Sequence, residues 1–243
     1  MKERFNEVFK TEKPIIGMLH LLGDTRQGIV DNAIKEMKMM IKHGVAAVLI
    51  ENYFGSTKDM ENVLTILQKN YPDVVYGVNV LGDVEKAYKL AECYGAKFIQ
   101  VDSICGHLIP QRECRYFERI DTLREKCDAL LLGGVRFKYQ PVCSGRSVEE
   151  DLNIGKQHCD VIVVTGAGTG ISTELDKIKE FRSVLGEFPL IVGAGMKDTT
   201  VAEQLRHSDG GIVGSFFKEN GKDYGYMDEK RIEKFMKAAY LSI

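Results

Sequence analysis

The residues best equipped for chemistry in this chain stand at the ends of short β-branched runs. His20 closes PIIGMLH (14–20), Glu51 and Asn52 close AAVLIEN (46–52), and Lys138 closes LLLGGVRFK (130–138), while Asn79 and Asp102 are next to last in VVYGVNV (74–80) and KFIQVDS (97–103). Two carboxyl groups turned toward one space could act as general acid and base, and a lysine beside them could stabilise developing charge or itself lose its proton on burial. Glu51, Asp102, Lys138 and His20 are therefore the candidate catalytic residues, with Asn52 and Asn79 as candidate substrate ligands. The competing reading of Glu51 and Lys138 is a buried ion pair that only braces the structure.

The second signal is glycine. VTGAGTG (164–170), VGAGM (192–196) and VGSFFK (213–218) each follow an apolar run. Without a Cβ, glycine lets several backbone N–H groups close on the oxygens of an anion, and a helix N-terminus nearby adds partial positive charge. Gly193, Gly195, Gly214 and Ser215 are the candidate phosphate ligands, and Thr165, Gly166, Gly168 and Gly170 the candidate substrate-binding turn. The third glycine of VTGAGTG comes too early for a dinucleotide fingerprint, and no acidic residue follows at the expected place, so NAD binding is not indicated. No second histidine is spaced to join His20 on a metal, and no cofactor is named by any motif.

These residues need a frame that gathers strand ends. Eight strand-like runs occur, the five above (His20, Glu51, Asn79, Asp102 and Lys138) and DVIVVTG (160–166), PLIVGAG (189–195) and GGIVGS (210–215), alternating with segments of helical period. Ala33, Met37, Met40 and Ile41 form one apolar helical face, and Val84, Ala87, Leu90, Ala91 and Tyr94 another. Ser147 with Glu150 reads as a capping box, and Thr173 as the N-cap of a helix that Gly186 ends. The pattern predicts a (β/α)8 TIM barrel as one domain over 1–243, rather than a six-stranded doubly wound sheet. Residues 1–13, with Phe5, Val8 and Phe9 at helical spacing, are expected to form a short helix closing the barrel bottom. In this fold the strand C-termini carry function, so all the candidates would share one rim, and the last two glycine turns would lie where barrels often hold phosphate.

Composition narrows the partners. The 33 basic and 35 acidic residues give no polyanion-binding signature, so nucleic acid is not an expected partner. The charged N-terminus lacks a signal-peptide core and the longest apolar runs are strand-sized, which points to a soluble, cytoplasmic protein with no transmembrane segment. Six cysteines with no C-x-x-C pair read as reduced packing thiols. Arg136, Lys138 and Arg146 concentrate positive charge after the fifth strand, which favours a small anionic or phosphorylated ligand. Outer helix faces leave room for a homo-oligomer.

The motifs KPIIGMLHLL (13–22), IEN (50–52), VNVL (78–81), VTGAGTG (164–170) and DGGIVGS (209–215) occur in the order and spacing of the BtpA/SgcQ family, which the chain resembles along nearly its whole length. The resemblance implies a barrel of the ribulose-phosphate-binding type. It also brings links to photosystem I biogenesis in photosynthetic cells and to sugar-metabolism operons elsewhere. The chain departs from the family at GDTRQG (23–28), at Asp102, where many relatives have Asn, and along the fifth run, where the family tends to have an Asp, a His and a Lys-His pair and this chain has Gly134, Arg136, the matching Lys138, and Tyr139. Two functions are open on these grounds: an isomerase, lyase or transferase acting on a phosphosugar or phosphoribosyl compound, or a non-catalytic biogenesis or regulatory protein that binds a small anion.

Overall fold

A computed structural model describes residues 1–240. Its eight parallel strands close into a barrel in chain order. They are β1 (Ile15–Leu19), β2 (Ala47–Glu51), β3 (Tyr76–Asn79), β4 (Phe98–Cys105), β5 (Leu130–Val135), β6 (Val161–Val164), β7 (Leu190–Val192) and β8 (Gly210–Val213). Each lies inside or across the run predicted for it, so the TIM barrel expected from the alternation is the fold observed. The covering helices are α2 (Arg26–Lys42), α3 (Thr57–Asn70), α4 (Val84–Tyr94), α5 (Pro110–Arg124), α6 (Val148–Gly155), α7 (Leu175–Leu185), α8 (Val201–Arg206) and α9 (Glu229–Tyr240), after an N-terminal α1 (Lys2–Phe9). No helix among the described residues is long and apolar enough to cross a membrane.

The two faces of each strand serve two cores. Outward residues such as Val48, Ile50, Val78 and Ile99 pack under the helices, where Ala33, Met37 and Met40 of α2 are buried as their spacing requires. Burying side chains of this size contributes about 1.5–3 kcal/mol each. Inward residues, including Ile16, Leu49, Leu132 and Val163, fill the barrel together with Phe5 and Phe9 of α1. Phe9 stands 5.3 Å from Phe98, ring centre to ring centre, at the lower end.

Local capping is mostly as the residue types dictate. Ser147 accepts from the Glu150 amide and Glu150 reaches back to Ser147, while Gly186 ends α7 at φ 58°. Thr173 does not cap α7. Its hydroxyl donates to the Ala194 carbonyl across the barrel rim, and Glu174 takes the N-cap position without a side-chain bond.

Candidate active site

Strand polarity brings the candidate residues to the upper rim, around a cavity of about 550 Å³. His20, Glu51, Asp102 and Lys138 line it from one side and Gly170, Gly193, Gly195, Gly214 and Ser215 from the other. Asn52, Asn79, Thr165, Gly166 and Gly168 do not line it, and their contacts explain why. Asn52 is a brace between two rim loops, its Oδ1 accepting from the Leu81 amide at 2.8 Å. Thr165 is fully buried and accepts from the Lys138 amide at 2.8 Å. Gly166 and Gly168 give room to the backbone of Ile171 and Ser172 and to the Tyr139 hydroxyl.

Asn79, the last residue of β3, organises the two acids. Its Nδ2 donates to Glu51 Oε1 at 2.7 Å and to Asp102 Oδ1 at 3.2 Å. Burial raises the Glu51 pKa to about 8, with the nearby Asp102 carboxylate adding to the shift. Burial likewise lowers His20 to about 3, helped by the charge of Lys218. His20 Nε2 lies 3.7 Å from Glu51 Oε2, but near neutral pH this is a contact of two uncharged groups rather than an ion pair. A carboxyl group that titrates near the working pH is suited to both giving and taking a proton.

Lys138 is not the ion-pair partner of Glu51. β5 ends at Val135, Arg136 and Tyr139 take left-handed backbone at φ 48° and 62°, and the chain turns so that Lys138 Nζ donates to Thr169 Oγ1 at 3.1 Å. Non-glycine residues in that region are strained, and strain of this kind collects at functional rims. The expectation that Arg136 and Arg146 add positive charge to the site does not hold either. Arg136 Nε and Arg146 Nε each donate at 2.9 Å to the fully buried Asp151, Ser144 donates to the same carboxylate at 3.0 Å, and Arg146 also pairs with buried Glu113. Both guanidinium groups are committed to this cluster outside the cavity.

The glycine side is built around β8. Gly214 and Ser215 open a short 3-10 turn, Ser215–Phe217, in which the Phe217 amide donates to Gly214 and the Lys218 amide to Ser215. The first amides of such a turn, those of Ser215 and Phe216, meet no backbone acceptor among the described residues. Arg231 of α9 lies over the Phe216 ring at 4.5 Å, donates from Nε to the Phe216 carbonyl at 2.7 Å, and lines the cavity. Gly193 contributes space rather than a donor, because its amide is spent on the Val164 carbonyl. A Cβ on Gly195 would stand 2.0 Å from the Ile171 carbonyl oxygen, at a φ of 65° that side chains avoid. Sequence reasoning missed Arg231, which carries no local signal. It also missed Gln100, which two-residue alternation from Asp102 could have found.

β4 reaches the site by a bulge. Its register to β5 shifts between Val101 and Cys105, while Asp102 keeps the inward face it shares with Gln100 and lines the cavity. Gly133 and Gly134 make this bulge fit: a Cβ on Gly134 would come 2.0 Å from the Asp102 carbonyl oxygen and 2.4 Å from the Phe137 ring. Gly134→Ala is accordingly expected to destabilise the fold by about 1–3 kcal/mol or more by overpacking, read from chemical denaturation. An unchanged midpoint would show that the bulge has slack.

The model of the BtpA family matches residues 11–240. The photosystem I biogenesis protein BtpA of Synechocystis is 24% identical over 257 residues, covering 96% of this chain and 90% of its own. The sgc region protein SgcQ of Escherichia coli is 25% identical, with 96% and 97% covered. Among solved structures, N-(5'-phosphoribosyl)anthranilate isomerase from Pyrococcus furiosus superposes with a TM-score of 0.61 at 20% identity, covering 94% of this chain and 99% of that one. That likeness is one of fold.

Proposed function

The chain belongs to the BtpA family, and from that premise we propose that it is an enzyme acting on a small phosphorylated metabolite, a phosphosugar or phosphoribosyl compound, by isomerase, lyase or transferase chemistry. One observation carries the proposal: a carboxyl group with a pKa near 8 shares a cavity with a turn of uncommitted amides and an arginine. Glu51 gives and takes the proton, Asp102 and Asn79 hold its position, and neutral His20 bridges toward Gly214, where its Cε1 would stand 3.1 Å from an added Cβ. Lys138 stabilises negative charge on the sugar side. The amides of Ser215 and Phe216, with Arg231, hold the phosphate, a pairing that the helix-terminus chemistry of anions favours. The isomerase with the same fold is named for a phosphoribosyl compound, which agrees with this reading.

Inorganic phosphate tests the anion end without knowledge of the reaction. At about 100 times its Kd it should add roughly 2.7 kcal/mol of stability, a rise of roughly 5–10 °C in Tm for a protein of this size. Ser215→Asp, which places a carboxylate against the same amides, should remove the rise, while Ser215→Ala should keep it. A shift that survives in Ser215→Asp would place the anion elsewhere.

A further inference from the structure

The loop from β8 to α9 crosses the mouth of the barrel. It leaves the Ser215–Phe217 turn, and Lys218 pairs with Met227 while the Glu219 amide donates to the Tyr226 carbonyl, so that its two ends form a narrow antiparallel neck. Beyond the neck, Asn220 and Gly221 line the main cavity together with Arg231 and Ser215. A Cβ on Gly221 would stand 3.0 Å from Arg231 Nη2, and one on Gly170 would stand 3.9 Å from the Gly221 carbonyl oxygen and 3.8 Å from Ser215 Oγ. The loop therefore lies against the groups that form the anion end.

The tip of the loop is fastened on the other side of the mouth. Among the described residues, two contacts tie it to the β2–α3 loop: Tyr53 Oη donates to Asp223 Oδ2 at 2.9 Å, and the Phe54 and Tyr224 rings meet edge to face at 5.6 Å. The Tyr53 ring also lies 5.0 Å from that of His20, whose Nε2 faces Glu51. Gly221 at φ 64° and Gly225 at φ 129° bracket the segment 222–224, which carries both Asp223 and Tyr224. None of residues 219–226 is buried, whereas Phe217, Lys218 and Met227 at the base are. A segment with so little burial, a fixed base and a glycine at each bend opens far more easily than the barrel beneath it.

We propose that the segment 222–224 is a lid, held shut by Tyr53 and Phe54, whose opening gates the passage of an anionic ligand to and from the Ser215–Phe217 turn. Closed, the loop spans the mouth from Arg231 to the Tyr53 ring beside His20, so one movement uncovers the anion end and the acid end together. That an anion is the traveller rests on the function proposed above, whereas the clasp stands on its own contacts.

The chain contains no tryptophan, so Tyr224→Trp places a single fluorophore on the lid and keeps an aromatic edge against Phe54. In that background, stopped-flow fluorescence follows the binding of inorganic phosphate with and without Tyr53→Phe, which removes the clasp hydrogen bond and keeps the ring that faces His20 and Phe54. A hydrogen bond of ordinary strength shifts an equilibrium about fivefold, so the association and dissociation rates should both rise about fivefold while Kd changes by less than about twofold. Rates that Tyr53→Phe leaves unchanged, or a changed Kd with an unchanged association rate, would overturn the lid. If phosphate binds neither protein, the phosphate reading fails and the lid is decided without ligand. A temperature jump should then produce a fluorescence relaxation whose opening rate is about fivefold faster in Tyr53→Phe. No such relaxation, or one that the substitution does not alter, removes the lid.

Discussion

Asp151→Ala should lower the unfolding free energy by about 3–5 kcal/mol, because it leaves two partly buried guanidinium groups without their shared counter-ion. For a protein of this size that is a fall of roughly 6–20 °C in Tm. The aspartate is completely buried and takes Arg136, Arg146 and Ser144 at once. Arg136→Met together with Arg146→Met in the Asp151→Leu background should recover much of the loss, since a well-packed apolar set of similar volume is often no less stable than a buried ion cluster. Differential scanning calorimetry of the single and triple variants decides the matter. A loss under about 1 kcal/mol for the single variant, the range of surface pairs, would mean that the cluster is solvated.

Glu51→Gln should change two quantities. With a substrate in hand, turnover should fall by about 10²–10⁴-fold, the usual contribution of a positioned general acid or base. Stability should change in its pH dependence. The folded pKa near 8 lies above the ordinary 4.5, so folding takes up a proton. The contribution of this group is fully present below 4.5 and is lost as the pH rises toward 8, at up to about 1.4 kcal/mol per pH unit. Glutamine cannot titrate, so that downward slope should be missing in the variant, and its advantage over the native protein should grow from pH 5 to pH 8. Urea denaturation at a series of pH values measures this directly. Parallel curves for the two proteins would mean that Glu51 is ionised in the fold at neutral pH.

How far the sequence could be read depended on whether a feature is local. Strand ends are local, so Glu51 and Asn79, each one residue from the end of its apolar run, stand out in the sequence and are the final residues of β2 and β3, and the barrel follows from counting runs. The two fates of positive charge after β5 were not legible. Asp151 sits beside Glu149 and Glu150 in the first turn of α6, where acids ordinarily serve the helix dipole in water. Only the fold reveals that it points inward to Arg136. Arg231 meets the Ser215–Phe217 turn across the loop that links β8 to α9, again a pairing without a sequence period. The paired glycines of LLLGGVRFK were visible but unexplained, because their reason lies on the neighbouring strand, in the bulge beside Asp102.

The floor of the barrel governs traffic. Phe5 and Phe9 plug the lower end against Phe98, and bulky residues from most of the strands fill the space above them. The cavity therefore opens upward, past Tyr53 and Tyr139. Whatever settles beside Glu51 leaves the way it came, and an occupant that lingers blocks its successor.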